Sequence, residues 1–336
     1  MHLINPLWDD HGGSDWRTIE MYRAMRSDAN VRLWSRFSPA ERFALEYPVE
    51  LIRPWQGRIP RGGTFVFVGV YFRVGHWFKF TLPRRTILVY NTHQPDRLHK
   101  VLQRLRSWHR TPVEVVHTSP MLRRLSGHPG VVIESPIDLV RFSPRDGRHD
   151  ECAGHFRVGR LSRDIPSKHH EDDAMVYSAL LEAAVDVRVM GGLCLASRAP
   201  RLPPSALMPA GREPAADFLR HLDCFYYRTS ERWLEAYGRV VFEAMACGLP
   251  VVCGHRGGYA DYIADGVNGF LVDSAEQAVR VILRLRGDRE LRMRIGRAAR
   301  RSVERIYGGA AWERKQSYFR LAPERGRALA YAPEYS

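Results

Sequence analysis

The feature that most constrains this chain is an alternation that starts twice. Short apolar segments rich in β-branched and aromatic residues alternate with longer stretches of helical pattern. In the first half the short segments are His2–Asn5, Val31–Trp34, Thr64–Val70, Thr86–Tyr90, Val113–His117 and Val131–Glu134. Helical stretches are expected at Asp15–Arg26, Gln94–Trp108 and Met121–Leu125. The short segments are bounded by Gly, Pro or polar residues, as parallel strands covered on both faces by helices would be. A turn-rich stretch containing Pro136, Asp138, Ser143 and Pro144, followed by the polar run Arg145–Glu151, reads as a linker. The array then begins again, with strands expected at His155–Val158, Val187–Met190, Leu222–Tyr227, Val251–Cys253 and Phe270–Val272. Helices are expected at Glu171–Val185, Val240–Cys247, Ser274–Leu285 and Arg289–Arg305, with Arg198–Pro214 an irregular connection.

Such a pattern predicts an α/β chain of two Rossmann-like domains facing a central cleft. The 336 residues suffice for two cores. The expected division is 1–145, 146–320 and a tail at 321–336.

Charge narrows the partners. The net charge is +14, nearly all from arginine, since the lysines are Lys79, Lys100, Lys168 and Lys315 alone. A basic surface favours a nucleotide diphosphate, an anionic glycan or a membrane surface. No zinc finger, RNA-recognition signature or heptad repeat accompanies the charge, so nucleic acid is not an expected partner. No run of about 18 apolar residues and no leader-like start is present, which reads as a cytoplasmic protein, with contact at the inner face of a membrane as an option. Five cysteines without a C-x-x-C pair read as reduced thiols with no zinc site.

The densest chemical signal runs from Glu235 to Cys253. A helix is expected to begin just after Gly238, and its free N–H groups around Gly238, Arg239 and Val240 would hold an anion. Glu235 would lie just before that helix. Glu243 would lie within it, where a buried carboxylate needs a partner. A pair of sugar hydroxyls would serve.

This stretch resembles the E-x7-E region of family 4 (group 1) glycosyltransferases, whose typical form is E-G-F-G-L-V-x-x-E-A-M-A-C-G-x-P-V-V. Glu235, Gly238, Glu243, Ala244, Met245, Ala246, Cys247, Gly248, Pro250, Val251 and Val252 stand in register with it. The resemblance covers about Ile133 to Trp312. It implies the GT-B fold and transfer of a sugar from a UDP-, GDP- or ADP-linked donor, with retention of configuration and without a metal or other cofactor. By that likeness Glu235 would contact the transferred sugar and Glu243 the ribose. His255–Asp261 resembles the family's G-G-x-x-E segment, with Asp261 in place of Glu, and Asp265–Val272 its D-G-x-N-G-x-L-V turn and strand.

Upstream, Val158-Gly159-Arg160-Leu161 is similar to the family's G-R-L strand end. Arg160 and Lys168 would clamp the diphosphate, although their spacing is longer than usual. Gly191 resembles the glycine turn beside the nucleotide. Tyr226-Tyr227-Arg228-Thr229 stands where the family has P-S. In the N-terminal half, Gly12 and Gly13 would form the loop reaching donor and acceptor, and His93, after the strand Ile87–Tyr90, would lie close to the reacting sugar. Tight turns and a structural histidine would produce the same residues. The acceptor is left open among glycans, lipid-linked saccharides and small molecules, as in capsule or other polysaccharide biosynthesis. A GT-B nucleotide-sugar epimerase and a catalytically inactive GT-B scaffold are the alternatives.

Overall fold

The computed structural model describes residues 1–27, 30–109, 111–145 and 156–321. The expected linker from 146 onward, Cys152, the start of the strand at His155, and the tail after Leu321 lie outside the described residues. The chain divides into two compact units. One is Met1–Pro136 together with the chain from Trp312 onward; the other is Ile137–Ala311.

The first unit carries β1 (His2–Ile4), α1 (Gly13–Met25), β2 (Arg32–Ser35), α2 (Glu41–Glu46), β3 (Val49–Leu51), β4 (Thr64–Val68), β5 (Arg85–Tyr90), α3 (Pro95–Trp108), β6 (Val113–His117), α4 (Pro120–Ser126) and β7 (Val131–Val132). Its seven strands are ordered β3-β2-β1-β4-β5-β6-β7. Every pairing is parallel. The central strands β4, β5 and β6 are buried along most of their length, which is why they read as near-continuous apolar runs. The aromatic segment Phe65–Phe80 is mostly core: Phe65, Phe67, Phe72, Trp77 and Phe78 are buried.

The second unit carries β8 (Arg157–Leu161), α5 (Asp173–Glu182), β9 (Asp186–Met190), β10 (Leu207–Met208), α6 (Ala215–Arg220), β11 (Cys224–Tyr227), α7 (Arg239–Ala246), β12 (Val251–Gly254), β13 (Phe270–Val272), α8 (Ala275–Gly287) and α9 (Arg289–Tyr307). Its order is β10-β9-β8-β11-β12-β13, again parallel throughout. Numbered from its own first strand this is 3-2-1-4-5-6, the doubly wound order, and the first six strands of the other unit repeat it. The 198–214 stretch, expected to be irregular, supplies β10. The cap of α8 is Ser274, whose Oγ accepts from the Gln277 N–H at 3.2 Å. Among the described residues, no helix is long and apolar enough to cross a membrane.

The last helix, α10 (Gly309–Arg320), corrects the expected domain division. The expected boundary put residues up to 320 with the C-terminal domain, yet Tyr318 and Phe319 join the core of the first unit. The Tyr318 hydroxyl donates to Glu114 Oε2 at 2.5 Å, and Arg85 Nε donates to Glu114 Oε1 at 2.7 Å. Arg85 also donates to the Tyr318 carbonyl and lies 4.6 Å from its ring centre. The expected helices stop at Arg305, and nothing local in the sequence marks the core to which α10 belongs. Truncating Tyr318 to Ala removes a buried ring and its hydrogen bond, so a loss of roughly 3–5 kcal/mol is expected. Urea unfolding measures it; a midpoint unchanged from wild type would contradict this packing.

Three histidines are buried in surroundings that favour the neutral ring. Burial pushes His2 and His117 down to about 4, and His169 down to about 3, from an ordinary 6.5. His117, the last residue of β6, bonds through Nε2 to the His128 carbonyl at 3.2 Å and is fully buried. Between these values and 6.5 the unfolded chain binds more protons than the folded one. Stability is therefore complete above about pH 6.5 and falls as pH drops towards 4. The expected result is a urea midpoint that declines over that interval, with a shallower decline in His117→Gln.

Candidate functional site

In a doubly wound sheet, ligands bind outside the carboxyl ends of the strands where the chain order reverses. In the second unit that place lies between β8 and β11. β8 ends at Leu161; the chain then runs out to a tight turn at Pro166–Lys168. β11 ends at Tyr227, and the following segment leads to Glu235 and then α7.

These two segments meet. Lys168 Nζ pairs with Glu235 Oε2, and the two side chains are 11% and 15% exposed. The Tyr227 hydroxyl donates to the same Oε2 at 3.0 Å. Burial alone would push the Glu235 carboxyl up; the Lys168 ammonium and the Tyr227 hydroxyl outweigh it and hold the group below its usual value. Burial pulls the Lys168 ammonium down. Glu235 also bridges the glycine segment downstream: its backbone pairs with Gly257, and the Gly258 N–H donates to the Glu235 carbonyl at 2.8 Å.

Gly238 caps α7 in the left-handed region, with φ +81°. A Cβ on Gly238 would collide with the Tyr259 ring, and so would one on Gly257. Packing around Tyr259 is thus sufficient reason for both glycines. The first N–H groups of α7, beginning at Arg239 and Val240, have no acceptor within the helix. Glu243 lies one turn further on, buried, and its Oε1 accepts from Arg239 Nε at 2.9 Å. The partner required by the buried carboxylate is supplied by the neighbouring turn of its own helix.

Arg160 is placed differently from the sequence expectation. Its side chain is fully buried, and its guanidinium faces inward. Nη1 donates to Asp173 Oδ2 at 2.9 Å and to the Arg228 carbonyl at 2.8 Å, while Nη2 donates to the Lys168 carbonyl. Asp173 is fixed in turn by the Tyr226 hydroxyl at 2.8 Å and by the His170 N–H at 3.0 Å. Arg160 therefore holds the backbone of the two segments that bear Lys168 and Glu235. With these donors occupied inside the fold, it supports the backbone at Lys168 and Arg228 and does not face outward as the sequence expectation had it.

Gly191 has φ +80°, and a Cβ there would overlap the Ser162 carbonyl. The His169 Nε2 donates to the Gly191 carbonyl at 2.8 Å, so this glycine locks the loop after β9 onto the loop after β8.

Gly12, Gly13 and His93 belong to the first unit. Gly12 precedes α1, and a Cβ on it would crowd the Asp15 carboxylate; nothing lies within 4 Å of a Cβ built on Gly13. His93 is partly exposed between β5 and α3. The polar group at the carboxyl ends of β1 and β5 escapes a reading of the sequence. Ser14 Oγ accepts from Asn5 Nδ2 and from Asn91 Nδ2, each at 3.1 Å. The available signal is position: Asn5 ends the first strand and Ser14 follows the glycine pair. Tyr227 escapes as well, because in sequence it is one of several aromatics in a strand. Asp9, Asp10 and His11 bring ligand atoms within 4.8 Å of one another in the same loop; they are only partly buried or exposed.

Residues 211–302 match the family model of glycosyl transferases group 1. This segment belongs to that family. It contains Glu235, α7 with Glu243, and the glycine segment. The D-inositol 3-phosphate glycosyltransferase of Streptomyces avermitilis is 31% identical over 204 residues, 52% of this chain and 42% of that protein. The spore coat protein SA of Bacillus subtilis is 36% identical over 88 residues, 25% of this chain and 22% of that one. The chain thus spans less than half the length of these curated relatives. The crystal structure of Anabaena Alr3699/HepE in complex with UDP-glucose superposes with a TM-score of 0.72 at 17% identity, covering 95% of this chain and 97% of that one. The fold is GT-B.

Removing one partner of the Arg160–Asp173 pair leaves a buried charge uncompensated. Asp173→Asn is expected to cost about 3–5 kcal/mol by chemical denaturation. A loss near zero would mean that the pair does not hold these loops.

Proposed function

We propose that the chain is a glycosyltransferase that moves a sugar from a nucleoside-diphosphate donor to a hydroxyl acceptor, with retention and without a metal. The observation that carries this reading is the Lys168–Glu235–Tyr227 cluster at the carboxyl ends of β8 and β11, beside the start of α7. A donor of this kind needs a cation for the departing diphosphate and an acceptor of hydrogen bonds for the sugar hydroxyls. Lys168 supplies the first, aided by the N–H groups of α7, whose helix dipole favours an anion. Glu235 supplies the second. On this reading the acceptor oxygen bonds to the anomeric carbon as the bond to the phosphate oxygen breaks. The acceptor's proton passes to the departing diphosphate, and the negative charge left there is met by Lys168. Attack on the face the diphosphate leaves retains the configuration. Glu243 takes the ribose with Arg239 beside it; on this reading the first unit takes the acceptor, with Gly12, Gly13 and His93 as its contacts to it. The relative named as a glycosyltransferase and the similar structure holding UDP-glucose support UDP as the first nucleotide to try.

Contact with the inner face of a membrane, and a lipid-linked acceptor, fit the net charge of +14 and one loop of the first unit. There Phe80 and Leu82 are 64% and 76% exposed, with Lys79 and Arg84 beside them. The double change Phe80→Ser with Leu82→Ser is expected to reduce co-sedimentation with anionic vesicles and to leave turnover of a soluble acceptor unchanged.

UDP at 100 times its dissociation constant should stabilise the protein by about 2.7 kcal/mol, with or without EDTA. A shift abolished by EDTA would overturn the metal-free reading and direct attention to Asp9, Asp10 and His11. Glu235→Gln is expected to lower kcat/KM roughly 100-fold or more. NMR of the product's anomeric proton decides the stereochemistry, and an inverted product would refute retention.

A further inference from the structure

Two of the sequence's departures from the family pattern are the stretched run from Arg160 to Lys168 and the segment that leads from β11 to Glu235. In the fold these departures hold each other. The Ser230 N–H donates to the Ser167 carbonyl at 3.2 Å. The Ser230 hydroxyl donates to Glu171 Oε1 at 2.6 Å, and the Glu231 N–H donates to Glu171 Oε2 at 3.3 Å. A turn closed by the Trp233 N–H on the Ser230 carbonyl, at 2.9 Å, then brings the Trp233 ring to 4.8 Å from Lys168 Nζ. The ammonium of Lys168 is thereby shared between the Glu235 carboxylate and an indole.

We propose that Trp233 is a positioning residue for the transfer described above, holding the Lys168 ammonium charged and in place when Glu235 turns to the donor sugar. The inference rests on that reading of the site. Lys168 and Glu235 are paired to each other, yet each is required by a different part of the donor, so donor binding separates them. A buried ammonium that loses its carboxylate either sheds its proton or swings towards water. The groups facing Lys168 make this acute. Glu235 favours the ammonium, whereas burial and the guanidinium groups of Arg163 and Arg160 oppose it. The Tyr227 hydroxyl is engaged by Glu235. Among the protein's own groups, the aromatic face of Trp233 is the neighbour that still favours the cation once Glu235 has moved, before the donor's diphosphate is engaged.

The chain's four lysines make a direct test practical. Lysine labelled with carbon-13 at Cε gives four resonances, and Lys168→Arg identifies the one of interest. The titration is recorded in a Glu235→Gln background, which imitates the departed carboxylate, with Trp233, Trp233→Phe and Trp233→Leu. The expected result is a Lys168 midpoint lowered by about one pH unit in Trp233→Leu and by less in Trp233→Phe, which keeps a weaker aromatic face. With Glu235 restored, UDP affinity at about pH 9 should fall about tenfold in Trp233→Leu and change little near pH 6.5. If Trp233→Leu does not fold, the smaller shift in Trp233→Phe decides. A Lys168 titration indifferent to residue 233 overturns the inference even when UDP binds. Failure of the wild-type protein to bind any nucleotide overturns the functional reading instead, and with it the role of Trp233 in transfer.

Discussion

The candidate donor site depends on a guanidinium that is itself sealed from solvent. Arg160 lies against Asp173 with both side chains at 0% exposure, and from there it grips the carbonyls of Lys168 and Arg228. A charge so placed is tolerable because Nη1 and Nη2 are both engaged, by a carboxylate and two carbonyls, with Nε alone left without a hydrogen bond. Its ring neighbour Tyr227, 4.8 Å away, is also the residue that donates to Glu235. The ion pair at the strand ends is therefore the outer layer of a buried network. Moving Asp173 or Tyr226 would disturb Lys168 and Glu235 without touching either of them.

Glycine serves this network by permitting close approach. At position 191 the absent side chain lets the Ser162 backbone lie directly against the loop after β9. At 238 and 257 it makes room for the buried ring of Tyr259. That ring packs at 5.9 Å from Tyr227. The route from a fixed backbone to the carboxylate of Glu235 thus passes through aromatic rings seated on glycines, which leaves α7 and its first N–H groups with little freedom to shift.

Much of this is legible in the sequence, and for identifiable reasons. Parallel strands covered on both faces write themselves as apolar runs, so β4, β5, β6, β9 and β12 are readable. The three-residue, half-exposed β3 and the two-residue β10 are not. The helix α7 and both glutamates are visible because a compact motif carries them within one local stretch. What periodicity cannot reveal is orientation. Arg160 and Lys168 read alike as cations after a strand, yet one points into the core towards Asp173 and the other out to Glu235. That choice is made by residues 13 and 67 positions away in sequence, respectively. The indole of Trp233 and the trio Asn5, Ser14 and Asn91 are hidden for the same reason: each owes its place to contacts between segments distant in the chain.

The return of α10 to the first unit bears on how the protein is made. Glu114 and Tyr318 are 204 residues apart. At about 5–20 residues per second, a ribosome needs roughly 10–40 s to travel between them. For that interval Arg85 and Glu114 have emerged without the helix that covers them, while the whole intervening Rossmann unit is being synthesised. The first unit to be translated is the last to be completed. During synthesis its open flank, with the apolar positions of α1 and β5 awaiting Tyr318 and Phe319, is the surface a chaperone would have most reason to guard.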